Sequence, residues 1–199
     1  MKNMFKGKSY APTMQAVEAA AGKETAQRFA EEAFAEYLRT KSMHDIKNRV
    51  RNSHWLNCCE RAAIYLTLKK YYPKQAYEWV ELSVKRVSAN SAALINNLMK
   101  LPLMKRRFFK IMHKVADRSF GDEGGFTNEW VAFSESEMRF NILDCPYCKY
   151  LKELGCPELT PGFCASDVYI YGNLNDFEFE RSGTLGTGGE KCDFCFKRR

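Results

Sequence analysis

Cysteines are concentrated in one part of this sequence and are its most reactive side chains. Six of the eight cysteines lie after residue 144 of the 199 residues, some as pairs separated by two residues and some singly. The thiolate form of cysteine attacks electrophiles and binds metals, so the cluster predicts a reactive-thiol site or a metal site. Its members are Cys145, Cys148, Cys156, Cys164, Cys192 and Cys195.

Cys164 and Asp167 have the spacing of two side chains that share one face of a helix. A short helix starting near Cys164 would place the thiol at the positive end of the helix dipole, which lowers the pKa of a cysteine. Asp167 could then take a proton from a water molecule, and Arg181 could hold a carboxylate in a bidentate fork. The same residues also fit an ion pair of Asp167 and Arg181 beside a buried thiol, and the residues alone leave both interpretations open.

A zinc site is a competing hypothesis. Cys145-x-x-Cys148 and Cys192-x-x-Cys195 have the spacing of zinc-binding knuckles, and four thiolates would close a tetrahedral site. Against it, the first pair falls in a helical pattern, and in a strand the side chains of the second pair would point to opposite faces. Zinc is therefore the weaker hypothesis, and no other cofactor is predicted.

Composition limits the class of protein and its partners. The chain is 45% hydrophobic with a net charge of +7, and it has neither an apolar run long enough to span a bilayer nor a signal-peptide pattern. We expect a cytoplasmic protein with reduced thiols and no transmembrane segment. The basic stretch 105–114 could contact a membrane or a phosphate backbone, or it could be a helix with apolar residues inward and lysines solvated. No nucleic-acid motif accompanies it, so no nucleic-acid partner is predicted, and the sequence does not set the oligomeric state.

The hydrophobic period divides the chain in two. Residues 1–117 form a predicted helical region, with four or five helices between about Thr13 and Lys114. Residues 118–199 form a predicted α+β region that carries the cysteines, in which helical segments alternate with short strands. The predicted fold is α+β, with an N-terminal helical half packed on a small antiparallel sheet with short helices, as one compact domain. The glycines at 183–189 lack phosphate-loop spacing and predict a wide hairpin turn, whose amides could line a carboxylate pocket.

The C-terminal residues resemble the L-2-amino-thiazoline-4-carboxylic acid hydrolase family over about residues 140–196. Two positions depart from the family pattern: Ser182 stands where threonine is usual, and Cys195 stands where arginine commonly follows. A more distant similarity, to ligand-binding domains of the 4-vinyl reductase type, depends on a glycine followed by Cys-x-Phe. The residues that carry the first resemblance are Cys145-Pro146, Cys164 with Asp167, Arg181, Gly188, and Cys192-Asp193-Phe194.

The resemblance implies a hydrolase that opens a small cyclic amidine, such as 2-amino-thiazoline-4-carboxylate, by adding water to give an N-carbamoyl amino acid. Its small-molecule carboxylate substrate would meet Cys164 as nucleophile or proton carrier and Asp167 as base. Cys192 with Asp193 would form the opposite wall of the catalytic site. Arg181, Gly188 and Cys145 would bind the substrate. The alternative is a non-catalytic small-molecule-binding or sensor protein, with thiol or zinc chemistry at the two Cys-x-x-Cys pairs.

Overall fold

The computed structural model describes residues 3–199, which form an α+β fold and confirm the predicted fold class. Five helices come first, and two short helices and an antiparallel sheet follow. None of the helices in this described range is both long and apolar enough to cross a membrane. The helices are α1 (Ala11–Ala21), α2 (Lys23–Lys41), α3 (Arg49–Tyr71), α4 (Ala76–Met99), α5 (Pro102–Ser119), α6 (Pro146–Glu153) and α7 (Thr160–Tyr171), and the strands are β1 (Thr127–Phe133), β2 (Glu137–Asp144), β3 (Phe177–Glu180) and β4 (Cys192–Arg198).

The helical half is divided where local chemistry favours a helix end. Gly22 separates α1 from α2 with a φ of 83°, a conformation that side chains disfavour. The Asn48 side chain accepts hydrogen bonds from the amides of Val50 and Arg51 and so caps α3. Pro102 occupies the first turn of α5, where the missing N–H costs no helical hydrogen bond. These features keep the helices short enough to pack around the buried α3.

The sheet has the order β1-β2-β4-β3, and all its neighbouring strands are antiparallel. β4 is therefore a central strand, with β2 on one side and β3 on the other. The predicted glycine-rich hairpin joins β3 to β4 and contains one 3₁₀ turn, Leu185–Thr187.

The basic stretch 105–114 lies on α5, which packs against the sheet. Phe108 and Phe109 are buried and contact the ring of Phe177 on β3. Arg106 and Arg107 are exposed. The helix thus has its phenylalanines inward and these arginines in solvent, as the helical interpretation of this stretch predicts, whereas Ile111, which that interpretation also placed inward, is exposed.

α7 lies where the helical core meets the sheet. It packs along α4 so closely that a methyl group added to Gly162 would come within 2.7 Å of a Glu81 carboxylate oxygen. On its other side, α7 contacts the loop between β3 and β4. Tyr147 of α6 packs against both hydrophobic clusters of the protein. The division at residue 117 stays a prediction, because these contacts do not test whether either part folds alone.

Candidate active site at helix 7

Cys164 is the fifth residue of α7, so the prediction that this helix starts near Cys164 was wrong. α7 begins at Thr160, and Pro161 lies in its first turn. The fixed φ of proline suits the first turn of a helix, which explains why the helix includes the residues before Cys164. The thiol therefore lies one turn inside the helix, and its surroundings rather than the helix terminus determine its acidity.

The glycine-rich loop closes over the Cys164 sulfur. A Cβ atom built on Gly186 would lie 2.7 Å from the Cys164 Sγ and 2.9 Å from the Thr160 Cγ2, which is closer than real contacts allow. Thr184 at the start of the turn is buried, and its hydroxyl is 2.9 Å from that of Thr187. The absence of a side chain at Gly186 allows the backbone to reach the thiol.

Four groups favour the thiolate form of Cys164. The pKa of Cys164 is lowered, chiefly by a hydrogen bond from the Cys192 thiol. Burial opposes this shift, whereas the Thr184 hydroxyl, the Arg181 charge and the Gly186 amide add to it. The same hydrogen bond raises the pKa of Cys192, which keeps its proton. The Leu185 amide donates to the Cys192 sulfur at 3.3 Å and fixes its position. These contacts favour the thiolate at Cys164 and the protonated thiol at Cys192, and the role of Cys164 as nucleophile stays a prediction.

Asp167 and Arg181 form an ion pair beside this thiolate. The Arg181 Nη1 donates to the Asp167 Oδ2 at 2.9 Å, and its Nη2 donates to the Cys164 carbonyl at 2.7 Å. The Arg181 side chain is only 6% exposed, whereas that of Asp167 is 25% exposed. Burial raises the pKa of Asp167 to about 7; Arg181 opposes this shift and Cys164 adds to it. Asp167 therefore exchanges a proton near neutral pH from a position that solvent reaches.

Asp193 and Gly188 shape the loop rather than face the thiol. The Asp193 carboxylate accepts hydrogen bonds from the Ser182 amide and hydroxyl and from the Gly183 amide, at 2.6 to 3.1 Å. Burial acts in the opposite direction, but these donors hold the pKa of Asp193 below its usual value. Gly188 ends the 3₁₀ turn with a φ of 88° and has open space around its Cα. Both residues fix the path of the loop that brings Thr184 and Gly186 to Cys164.

The Cys145 and Cys148 thiols form a second hydrogen-bonded pair at the start of α6. Cys145 caps this helix, and the Cys148 amide donates to the Cys145 carbonyl at 3.2 Å. The hydrogen bond between the thiols raises the pKa of Cys145 and lowers that of Cys148. Cys148 is also close enough to Cys164 for a charge on one thiol to affect the other.

The structure thus brings four of the predicted site residues together and places three around them. Cys164, Asp167, Arg181 and Cys192 form the centre. Gly188, Asp193 and Cys145 contribute to the supporting loop and to the neighbouring thiol pair. Both terminal nitrogens of Arg181 are engaged by protein groups, so the predicted role of Arg181 in binding a substrate carboxylate stays a prediction.

Two further residues next to the site, Thr184 and Arg61, were not identified from the sequence. Thr184 belongs to the glycine-rich loop, and its type does not distinguish it from its neighbours; Gly186 was predicted only as one of the loop glycines whose amides could line a carboxylate pocket. Arg61 of α3 lies over the Phe163 ring, with its guanidinium carbon 3.9 Å from the ring centre. Arg61 is about 100 positions away from Phe163 in the sequence, so only the packing of α3 on α7 reveals this contact.

The arrangement of the thiols does not favour the zinc hypothesis. Cys145 and Cys148 belong to the start of α6, whereas Cys192 and Cys195 are on β4. Cys192 contacts Cys164, while the Cys195 sulfur is 4.0 Å from a Glu137 carboxylate oxygen. Within residues 3–199 no group of three or more His, Cys, Asp or Glu side chains could hold a metal ion. Metal content itself stays untested.

Of three comparisons with known proteins, the one with family models gives a match, and those with curated proteins and with solved structures give none. A family model described as L-2-amino-thiazoline-4-carboxylic acid hydrolase matches residues 51–196, which include all of the candidate site. No curated protein and no solved structure matches the chain. The matched range extends well beyond the C-terminal motif and covers most of the chain, from α3 to β4.

Proposed function

We propose that this chain, which belongs to the L-2-amino-thiazoline-4-carboxylic acid hydrolase family, opens the ring of 2-amino-thiazoline-4-carboxylate or a close analogue by adding water. The observation that carries the proposal is the set of donors that stabilise a Cys164 thiolate beside Asp167. The product is N-carbamoyl-cysteine, which contains the atoms of the substrate plus those of one water molecule.

Cys164 acts first, as the nucleophile. Its thiolate adds to C2, the ring carbon that is bonded to one sulfur and two nitrogens. The bond between C2 and the ring sulfur then breaks, and its electron pair leaves with the sulfur as a thiolate. The result is an isothiourea in which C2 is bonded to the Cys164 sulfur. A thiol with a lowered pKa suits this step, because it is ionised at neutral pH yet still nucleophilic.

Asp167 acts in the second step, as the general base. It takes a proton from water, the water oxygen bonds to C2, and the bond from C2 to the Cys164 sulfur breaks to restore the thiolate. The two protons of the water end on the former ring nitrogen and the former ring sulfur. A carboxylate whose pKa is about 7 can accept and return this proton at neutral pH.

Arg181 and Cys192 support these two residues. Arg181 holds one oxygen of Asp167, so the carboxylate keeps a fixed orientation toward the thiol. Cys192 donates its S–H to Cys164 and stabilises the thiolate each time the thiolate is formed or released. Both are therefore positioning residues in this mechanism, and Cys164 and Asp167 are the catalytic ones.

The test is a mass-spectrometric assay of the purified protein with 2-amino-thiazoline-4-carboxylate. We expect a product with the mass of the substrate plus one water, and no product from Cys164→Ala. A single-turnover reaction of Asp167→Asn should accumulate the adduct on Cys164, because the water step is then slow. Cys195→Ala is the matched control, since Cys195 is on the same strand as Cys192 but contacts Glu137 instead of the site.

Each outcome has a clear meaning. If Cys164→Ala still forms product, Cys164 is not the nucleophile. If Asp167→Asn still forms product at the wild-type rate, Asp167 is not the general base. Binding of the substrate without turnover by the wild-type protein excludes this reaction and favours the sensor alternative.

A further inference from the structure

A small cavity lies between the N-terminal 3₁₀ turns, α3 and α4, outside the cysteine site. Its volume is about 160 Å³, the size of a small amino acid or a substituted five-membered ring. Two charged side chains, Glu60 and Arg61, line it together with the polar side chains of Ser9, Tyr10, Asn57 and Ser83. We refer to it as the Glu60–Arg61 cavity.

Arg61 has no polar partner within the protein as described. Its guanidinium stacks on the Phe163 ring, but none of residues 3–199 accepts a hydrogen bond from it or forms an ion pair with it. One of its terminal nitrogens, Nη1, is fully buried. Buried donors in native proteins are nearly always hydrogen-bonded, and a buried charge is normally paired. The rest of this half-buried side chain lines the cavity, so an anion bound there would give the guanidinium the partner that the described protein does not supply.

Glu60, like Arg61, lacks a partner of opposite charge, and it could pair with a cation. Its carboxylate accepts a hydrogen bond only from the Tyr10 hydroxyl, at 3.3 Å, and no cationic side chain of the described chain lies within ion-pair distance. Although Glu60 and Arg61 are consecutive and line the same cavity, they form no salt bridge with each other. Burial raises the pKa of Glu60, and the Tyr10 hydrogen bond and the nearby Arg61 charge only partly offset this effect.

The cavity adjoins the cysteine site through α7. Phe163 and Asp167 are four residues apart on this helix and so lie on the same face. Because the Arg61 guanidinium rests on the Phe163 ring, it lies beside the face that carries Asp167. The positive charge of Arg61 accordingly acts on Asp167, opposing the effect of burial on its pKa.

We propose that the Glu60–Arg61 cavity binds a small zwitterion, with the ligand carboxylate on Arg61 and a cationic ligand nitrogen on Glu60. The fork of arginine matches the two oxygens of a carboxylate, and a ligand with both charges neutralises both half-buried side chains at once. An anion alone or a cation alone would leave one of the two unpaired. The inference goes beyond the proposed function, because such a ligand binds here whether or not Cys164 acts on it.

Calorimetric titration of the Cys164→Ala protein tests the inference without turnover. The probes are 2-amino-thiazoline-4-carboxylate, 2-amino-thiazoline, which lacks the carboxylate, and thiazoline-4-carboxylate, which lacks the amino group. We expect the zwitterion to bind at least about tenfold more tightly than either fragment, the size of effect of one charge-assisted hydrogen bond. Failure of the zwitterion to bind, or equal affinities for all three probes, would overturn the proposal.

Substitutions in the same background assign the two charges. The affinity of Arg61→Met for the zwitterion should be at least about tenfold lower, while its affinity for 2-amino-thiazoline should be unchanged. The affinity of Glu60→Gln for the zwitterion should also fall, while its affinity for thiazoline-4-carboxylate should be unchanged. Unchanged zwitterion affinity in both variants would contradict the assignment.

A stability measurement separates a binding role from a structural one. Methionine keeps an apolar stem on Phe163 and removes a half-buried charge with an unsatisfied nitrogen, so Arg61→Met should melt at or above the wild-type temperature. A lower melting temperature would mean that Arg61 stabilises the fold and would count against a ligand role. Glu60→Gln is nearly isosteric and provides an independent folded variant.

Turnover by the protein with Cys164 intact distinguishes this inference from the proposed function. Zwitterion binding that depends on Glu60 and Arg61, without hydrolysis, would exclude the hydrolase function and keep the cavity. Hydrolysis by the wild-type protein, together with unchanged zwitterion affinity in Arg61→Met and Glu60→Gln, would keep the function and exclude the cavity.

Discussion

Replacing Gly186 by alanine should separate the thiolate from the groups that stabilise it. The added Cβ would lie 2.7 Å from the Cys164 sulfur and 2.9 Å from the Thr160 methyl carbon, whereas ordinary contacts of this kind begin near 3.4 Å or beyond. The loop must therefore withdraw by most of an ångström. A displacement of that size at a catalytic group can lower activity by about 100-fold.

Two measurements follow the effect of Gly186→Ala. The first is kcat/KM for 2-amino-thiazoline-4-carboxylate, and the second is the rate at which iodoacetamide alkylates Cys164, followed by mass spectrometry across pH. We expect kcat/KM to fall by about 100-fold and the pH midpoint of alkylation to move upward, because the Gly186 amide and the Thr184 hydroxyl no longer reach the sulfur.

Gly183→Ala is the matched control within the same loop. Its added Cβ would meet only the Lys191 carbonyl oxygen, at an ordinary 3.7 Å, so activity and alkylation should stay close to the wild type. If Gly186→Ala also retained wild-type activity and alkylation, the closure of the loop over Cys164 would not matter for catalysis, and the reasoning would be refuted.

Three further predictions concern the groups around the thiol. Because Asp167, whose pKa is about 7, is the proposed base of the water step, kcat should rise about tenfold per pH unit below pH 7 and level off above it. An Asp167→Asn profile that keeps this rise would assign it to another group. Thr184→Val removes a hydroxyl that donates to the Cys164 thiolate, and the loss of about 1.5 to 3 kcal/mol should raise the pKa of Cys164 by about one to two units, measured by alkylation against pH. Thr184→Ser should show little change, and an equal shift in both variants would argue against the hydrogen bond. Asp193→Ala should lower the free energy of unfolding by about 1 kcal/mol in urea titrations at pH 7, since the carboxylate is largely solvated. Because the folded-state pKa of Asp193 is depressed, this difference is present above its unfolded-state pKa and should disappear as the pH falls through its folded-state pKa; a difference that persists in acid would require another cause.

Local sequence patterns were sufficient to predict the elements of this fold. Helix ends at Gly22 and Pro102 depend on the backbone preferences of those residues, which act over one or two positions. The antiparallel pairing of β3 with β4 follows from two strand patterns joined by a glycine-rich loop. The start of α7 was placed too late, because its first turn lacks the polar capping residue that usually announces a helix.

The composition of the site could be predicted only in part. Cys164 and Asp167 share a helix, so their proximity is a local property that spacing reveals. The partners of Arg181 could not be predicted, since its two terminal nitrogens contact α7 through the tertiary fold. Arg61 gives no signal in the sequence, because an arginine on a helix is usually solvated and only its packing on Phe163 shows that this one is not.

The central position of β4 couples the assembly of the site to the assembly of the sheet. β2 and β3 do not pair with each other: β3 pairs with β4, and β2 pairs with β4 on one side and with β1 on the other. β4 also begins with Cys192, the main donor to the Cys164 thiolate. Local opening of this one strand should therefore expose the β4-facing amides of both neighbours to hydrogen exchange and remove the acidity of Cys164 in a single cooperative event. The proposed catalysis therefore requires the closed sheet as well as α7.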